Sequence, residues 1–168
     1  MPAWTRAYVR FVEAMNYRVG RFAMYLLYVM MAILLWSSVT KIMHVPALWT
    51  LEMAQFTLVA YFMLGAPYSL QLDTNVRMDL IYARFTTKGQ ALWDVFTVFC
   101  LMFYLGVMLW GAFDATAYSF AVNERNPTAW RPPLWPIKSV ITFAFALMLL
   151  QASAHLIRDI ATIRGEKI

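Results

Sequence analysis

Charge is scarce in this sequence. Of 168 residues only 14% are Asp, Glu, Lys or Arg, against ~25% in an ordinary soluble domain. A soluble chain of this size would lack the polar residues to cover so much apolar surface, and that class is excluded. Cysteine occurs once, at Cys100, so no internal disulfide can form and the residue reads as a small packing group. Histidine occurs twice, as His44 and His155. The two fall at opposite ends of different apolar runs and cannot ligate one haem together, which argues against a membrane anchor of a redox enzyme. There is no phosphate loop, nucleophile elbow or zinc motif. No carboxylate stands at the centre of an apolar run, where a stand-alone four-helix proton-coupled exporter would need one. Both alternatives stay open but lack their expected residues. Neither an enzyme activity nor a cofactor or metal is expected. The net charge of +5 could suggest nucleic acid, but the basic residues are scattered rather than gathered into a polyanion-binding patch.

What the chain has instead is four long apolar stretches, at roughly 22–39, 53–72, 95–113 and 137–157. Each reaches or approaches the ~20 residues a helix needs to cross ~30 Å of hydrocarbon. The expectation is an all-α membrane protein. A single membrane domain, 1–168, would carry transmembrane helices at about 20–42, 48–72, 92–120 and 136–158. Seven Trp and nine Tyr suit a chain with two membrane–water interfaces. Lys and Arg set the orientation. The N-terminal segment has Arg6, Arg10, Arg18 and Arg21, and the first loop only Lys41. With both termini cytoplasmic, ten basic residues lie inside and four outside, as the positive-inside rule favours. The first apolar run is longer than the ~7–15 residues of a signal-peptide core, so it reads as a retained anchor.

Residues 4–18 are the most amphipathic piece. At about 100° per residue, Trp4, Ala7, Tyr8, Phe11, Val12 and Met15 share a face, with Arg6, Arg10 and Glu13 opposite. The pattern predicts an N-terminal amphipathic interfacial helix in contact with membrane lipids. Glu52, in the first turns of the second span, is within reach of headgroup water and reads as a structural carboxylate meeting a neighbouring helix. Pro67 should kink or loosen the far part of that span. Residues 73–90 predict a short second interfacial helix, broken at Lys88 and Gly89. Asp94 and Asp114 bracket nineteen uncharged residues and can sit at the two interfaces, which leaves little for a proton relay. Residues 123–136 form the sizeable outward loop, stiffened by Pro127, Pro132, Pro133 and Pro136 and expected to be mostly extended. Trp130 and Trp135 should anchor it at the headgroups. Snorkelling accounts for Lys138 and Arg158. No internal repeat is evident, and the paired broken helices of transporter binding sites are missing.

The segments Leu64-Gly65-Ala66-Pro67-Tyr68-Ser69 and Asn75-Val76-Arg77-Met78-Asp79-Leu80-Ile81-Tyr82 resemble the signature of the small permease (Q) subunit of TRAP transporters. So do Trp130-Arg131-Pro132-Pro133-Leu134-Trp135-Pro136-Ile137-Lys138 and the later Leu149-Leu150-Gln151. One position departs: the family usually has His two residues before the matched Arg77, and this chain has Asn75. The resemblance implies a tripartite, sodium-coupled uptake system for organic anions, often carboxylates, in the bacterial inner membrane. Its partners would be a large (M) permease subunit carrying the substrate and sodium sites, and a periplasmic solute-binding (P) protein. The small subunit would scaffold the large one and take part in docking the binding protein. On that reading no substrate site is expected in this chain. Glu52, Arg77, Asp79 and Lys138 are candidate interface or structural residues. Glu124, Arg125 and Arg131 are candidate docking residues for the binding protein.

Overall fold

A computed structural model of the chain describes residues 3–45, 47–72 and 87–163, and the side chains of 4–45, 47–72, 96–158, 160 and 161. The regular elements among them are four α-helices: α1 (Ala3–Ile42), α2 (Trp49–Gln71), α3 (Thr87–Val122) and α4 (Trp135–Ile163). Among the described residues, three stretches are long and apolar enough to cross a membrane: Trp4–Ile42, Phe96–Val122 and Trp135–Arg158. α2 has 23 residues, ~34 Å of helix, so its length suffices. Glu52, Gln55 and its tyrosines dilute its apolarity, and it stands outside that set. Pro67 lies inside α2, buried, and the helix continues to Gln71.

The first difference from expectation is the N-terminus. Residues 4–18 do not form a helix of their own; they run without a break into the apolar run, and α1 is one helix of 40 residues, ~60 Å long. The junction offers only Gly20 as a breaker, and one helical glycine costs only ~1 kcal/mol. Gly20 is also packed: a Cβ there would lie 2.5 Å from Tyr68 Cβ and Cγ on α2. Lys88 and Gly89 lie in the first turn of α3; the segment they were expected to end lies outside the described residues.

The stripe that α1 buries is Val9, Val12, Asn16 and Ala23, spaced by three, four and seven as one helix face requires. It is rotated from the expected face: Val12 is shared, but Trp4 and Phe11 are 88% and 67% exposed. Val9 and Val12 pack on Ala154 with Ile157 beside them. Further along, Ala23, Leu64 and Ala144 form a second cluster with Val19, Leu26, Met63 and Val140 around it. The buried residues of α4 are mostly small: Ala144, Ala152, Ala154 and Ala161. Small side chains let helix backbones approach closely where hydrophobic burial supplies no drive, as in lipid.

α1 packs on both α2 and α4, α2 packs on α4 as well, and α3 packs chiefly on α4. Neighbours in sequence run antiparallel, so α1 begins where α2 and α4 finish; that end is the near end and the opposite one the far end. At the far end α1 closes with hydrogen bonds from His44 N to Lys41 O and from Val45 N to Thr40 O. His44 takes the left-handed conformation, φ 56°, that this type of helix stop needs. α3 ends in the same way, with Asn123 at φ 49° and Glu124 N bonded to Ser119 O. Large apolar side chains remain open on α3 (Phe99, Phe103, Trp110, Phe113) and on α1 (Phe22, Tyr28, Leu35, Trp36).

Candidate functional site

Polar side chains gather at the two ends of the bundle. At the near end they hold α1 to α4. Asn16 Nδ2 donates to Gln151 Oε1 at 2.6 Å, with both residues fully buried. Tyr8 Oη lies 2.8 Å from Ser153 Oγ, and Arg158 pairs with Glu13. Arg158 is therefore held in an ion pair rather than simply extended to the interface. Glu13 lies on the packed side of α1, not the solvent side. His155 Nε2 lies 2.9 Å from Leu70 O. A carbonyl can only accept, so Nε2 carries the proton, and His155 satisfies one of the last carbonyls of α2, which have no partner within the helix. Arg21 donates to the Tyr17 hydroxyl and sits 4.8 Å over its ring; Tyr17 meets Tyr68 edge-on at 5.9 Å.

At the far end the clasp joins α3, the following loop and α4. Lys138 pairs with Glu124, and Ser119 Oγ donates to Glu124 Oε2 at 2.9 Å. These two donors hold the Glu124 carboxyl below its ordinary value, the Lys138 hydrogen bond contributing most. Thr116 and Thr142 hydroxyls meet at 2.9 Å across α3 and α4. The loop is not an extended ledge. Arg125 and Pro133 form an antiparallel bridge, Asn126 N donates to Pro132 O and Leu134 N to Glu124 O. Proline lacks an N–H but keeps its carbonyl, so the proline run can still accept and close a small hairpin. Arg131, at φ 51°, makes the turn.

The candidate docking residues therefore divide. Arg125 and Arg131 are exposed, while Glu124 is occupied by Lys138 and Ser119. Lys138 answers an acid of its own chain. Glu52 is buried, at 5% exposure, rather than reaching headgroup water. Its Oε2 has no hydrogen-bond partner among the described residues, although its place in the first turn of α2 sets it near the positive end of the helix dipole. Arg77 and Asp79, with the expected second interfacial helix up to residue 86, lie outside the described residues. Sequence reasoning missed Asn16 and set Glu13 on the solvent face, whereas it in fact meets Arg158. The available signal was an amide interrupting an otherwise apolar stripe. No group of three or more His, Cys, Asp or Glu is gathered among the described residues.

Among the described residues this arrangement clasps helices to one another. No solved structure matches the chain. A curated relative, the isethionate TRAP transporter permease protein DctMQ of Oleidesulfovibrio alaskensis, is 24% identical over 115 residues. The match covers 68% of this chain and 17% of the relative, so the chain corresponds to a small part of that protein's length. Residues 30–162 match the family described as tripartite ATP-independent periplasmic transporters, DctQ component, a family of transporter components rather than of enzymes. The match spans the later part of α1, α2, α3 and nearly all of α4, with the far-end clasp and the α4 side of the near-end clasp, and the chain belongs to this DctQ family of small TRAP permease subunits.

Proposed function

We propose that the chain is the small membrane subunit of a tripartite, sodium-coupled uptake transporter for organic anions. It sits in a bacterial inner membrane with both termini cytoplasmic, so the near end of the bundle is the inner one. It scaffolds a large permease subunit, and its far-end loop takes part in docking a periplasmic solute-binding protein. The observation that carries this reading is the family match over residues 30–162. The matched relative's name joins M and Q in one permease and names isethionate, a small organic anion. That supports the substrate class without fixing the substrate.

The distribution of side chains supports a passive role. Acids and amides stand toward the bundle's ends, and the open aromatic faces of α1 and α3 offer area to lipid or to a larger membrane partner. Arg77 and Asp79 are proposed to tie their segment to this chain or to the large subunit, and Glu52 to serve structure rather than transport. Affinity purification of the tagged chain in mild detergent should co-isolate a much larger membrane subunit. Proteoliposomes holding the chain alone, under a sodium gradient, should take up no organic anion. Uptake by the chain alone would overturn the scaffold reading.

A further inference from the structure

The boundary between α1 and α4 opens into a groove of about 450 Å³, lined by Arg18, Val19, Phe22, Leu64, Val140 and Phe143. Apart from Arg18 and Ser139 its lining is apolar. Ser139 also borders it, but its hydroxyl donates back to Trp135 O at 2.8 Å. The one charged group is the Arg18 guanidinium at the near end. Other cations nearby are engaged: Arg21 with Tyr17 and Arg158 with Glu13. Arg18 has no ion pair or hydrogen bond among the described residues.

Arg18 stands just before the uncharged run of α1 between Arg21 and Lys41. In a membrane its guanidinium lies at the headgroup boundary, and the groove leads from there into hydrocarbon. An occupant must therefore bring an anion at one end and a flexible apolar chain behind it. We propose that this groove is a binding site for an anionic phospholipid, its phosphate on Arg18 and one acyl chain between α1 and α4 over Leu64. Basic pockets between membrane helices recognise anionic headgroups by this combination of charge and apolar packing. The proposal needs the chain to lie in a membrane but does not depend on its part in transport, so the two can fail separately.

The full chain, purified in mild detergent, is titrated with palmitoyl-oleoyl phosphatidylglycerol or the phosphatidylcholine of the same chains, and bound lipid is counted by native mass spectrometry. Wild type should retain the anionic lipid about fivefold more tightly, the effect one basic residue exerts near an anionic surface. Arg18→Gln should remove the preference and Arg18→Lys should keep most of it. Val140→Phe, which fills the groove, should weaken both lipids. Arg10→Gln, exposed and away from the groove, should change nothing. Equal retention of the two lipids by wild type overturns the site, and so does an unchanged preference in Arg18→Gln. A loss in Arg10→Gln as large as in Arg18→Gln reveals diffuse surface charge instead, and competition by free glycerol phosphate reveals a headgroup pocket without the groove. A Val140→Phe chain that loses a co-purifying protein but keeps its lipid preference assigns the groove to a protein partner and overturns the proposal as well.

Discussion

Asn16→Leu removes the donor that Gln151 Oε1 accepts at 2.6 Å and leaves an amide without a partner between α1 and α4. Leucine has the branching and side-chain heavy-atom count of asparagine with somewhat more bulk, so no cavity is opened and none of the effect is a cavity term. A buried polar group stranded in this way costs roughly 1–3 kcal/mol. Interhelical hydrogen bonds in membranes average about 0.6 and reach about 1.7 kcal/mol, because the separated helices also find partners. The pair is itself only half satisfied: Asn16 Oδ1 and Gln151 Nε2 have no partner among the described residues. We therefore expect Asn16→Leu and Gln151→Met each to destabilise by about 1–1.5 kcal/mol. The double variant, which strands neither amide, should fall within about 0.5 kcal/mol of wild type. The assay is reversible unfolding of the full chain in mixed micelles, read by circular dichroism as a double-mutant cycle. Additive single effects would refute the reasoning, as would an Asn16→Leu chain as stable as the double variant.

Gly20→Ala places a methyl 2.5 Å from Tyr68 Cβ and Cγ, so α1 and α2 must part, at about 1–3 kcal/mol. Tyr68→Ala in the same chain should recover part of that in thermal unfolding, and an undisturbed Gly20→Ala chain would contradict the close packing. Glu124 is held below its ordinary carboxyl value. Its stabilising effect is complete above the unfolded value of about 4.3 and fades as pH falls through the lower folded one. Proteolysis of the loop at 125–131 should thus stay slow from neutral pH to about 4 and quicken below, whereas Glu124→Gln should lose that dependence; an unchanged profile in the variant would sink the argument. For the docking role, Arg125→Glu with Arg131→Glu should raise the binding-protein concentration at half-maximal transport severalfold at low salt, with less effect at higher salt as screening grows. No change at either salt would leave the loop with no part in docking.

The three runs long and apolar enough to span a membrane were legible in the sequence because run length and composition are properties of one stretch of chain. The near-end clasp was not, because it depends on how non-adjacent helices slide past each other. Asn16 and Gln151 are 135 residues apart, and nothing local says that one faces the other. Arg158 and Lys138 read as snorkelling cations for the same reason: the acids that meet them, Glu13 and Glu124, sit on other elements. The amphipathic face of residues 4–18 was misplaced because Trp4 and Phe11 outweighed Val9 in an apolar count, although Val9 and Val12 fit beside the small residues of α4. The Gln151 that carried part of the family resemblance now has a geometric role.

Both clasps depend on α4. Its near-end half holds α1 through Gln151, Ser153 and Arg158, and its far-end half holds α3 and the loop through Lys138 and Thr142. α2 is gripped by both α1 and α4, so α1, α2 and α4 form a triangle, and α3 hangs on one side of it. A triangle closed at its near end by buried amides and an ion pair resists sliding, which suits the part of a transporter that stays fixed. A moving, substrate-carrying element has the opposite needs: a broken helix or polar groups at mid-depth to receive ions. α1, α2 and α4 are continuous over their described lengths, and Thr57, a hydroxyl near the middle of α2, donates to its own helix at Met53 O, 2.7 Å away. The unequal grip also says where the bundle should yield first. α3 keeps one close neighbour, so loosening the far-end clasp should free α3 before it disturbs the triangle. Loosening the near-end clasp should spread α1 from α4 while the α3–α4 pair survives.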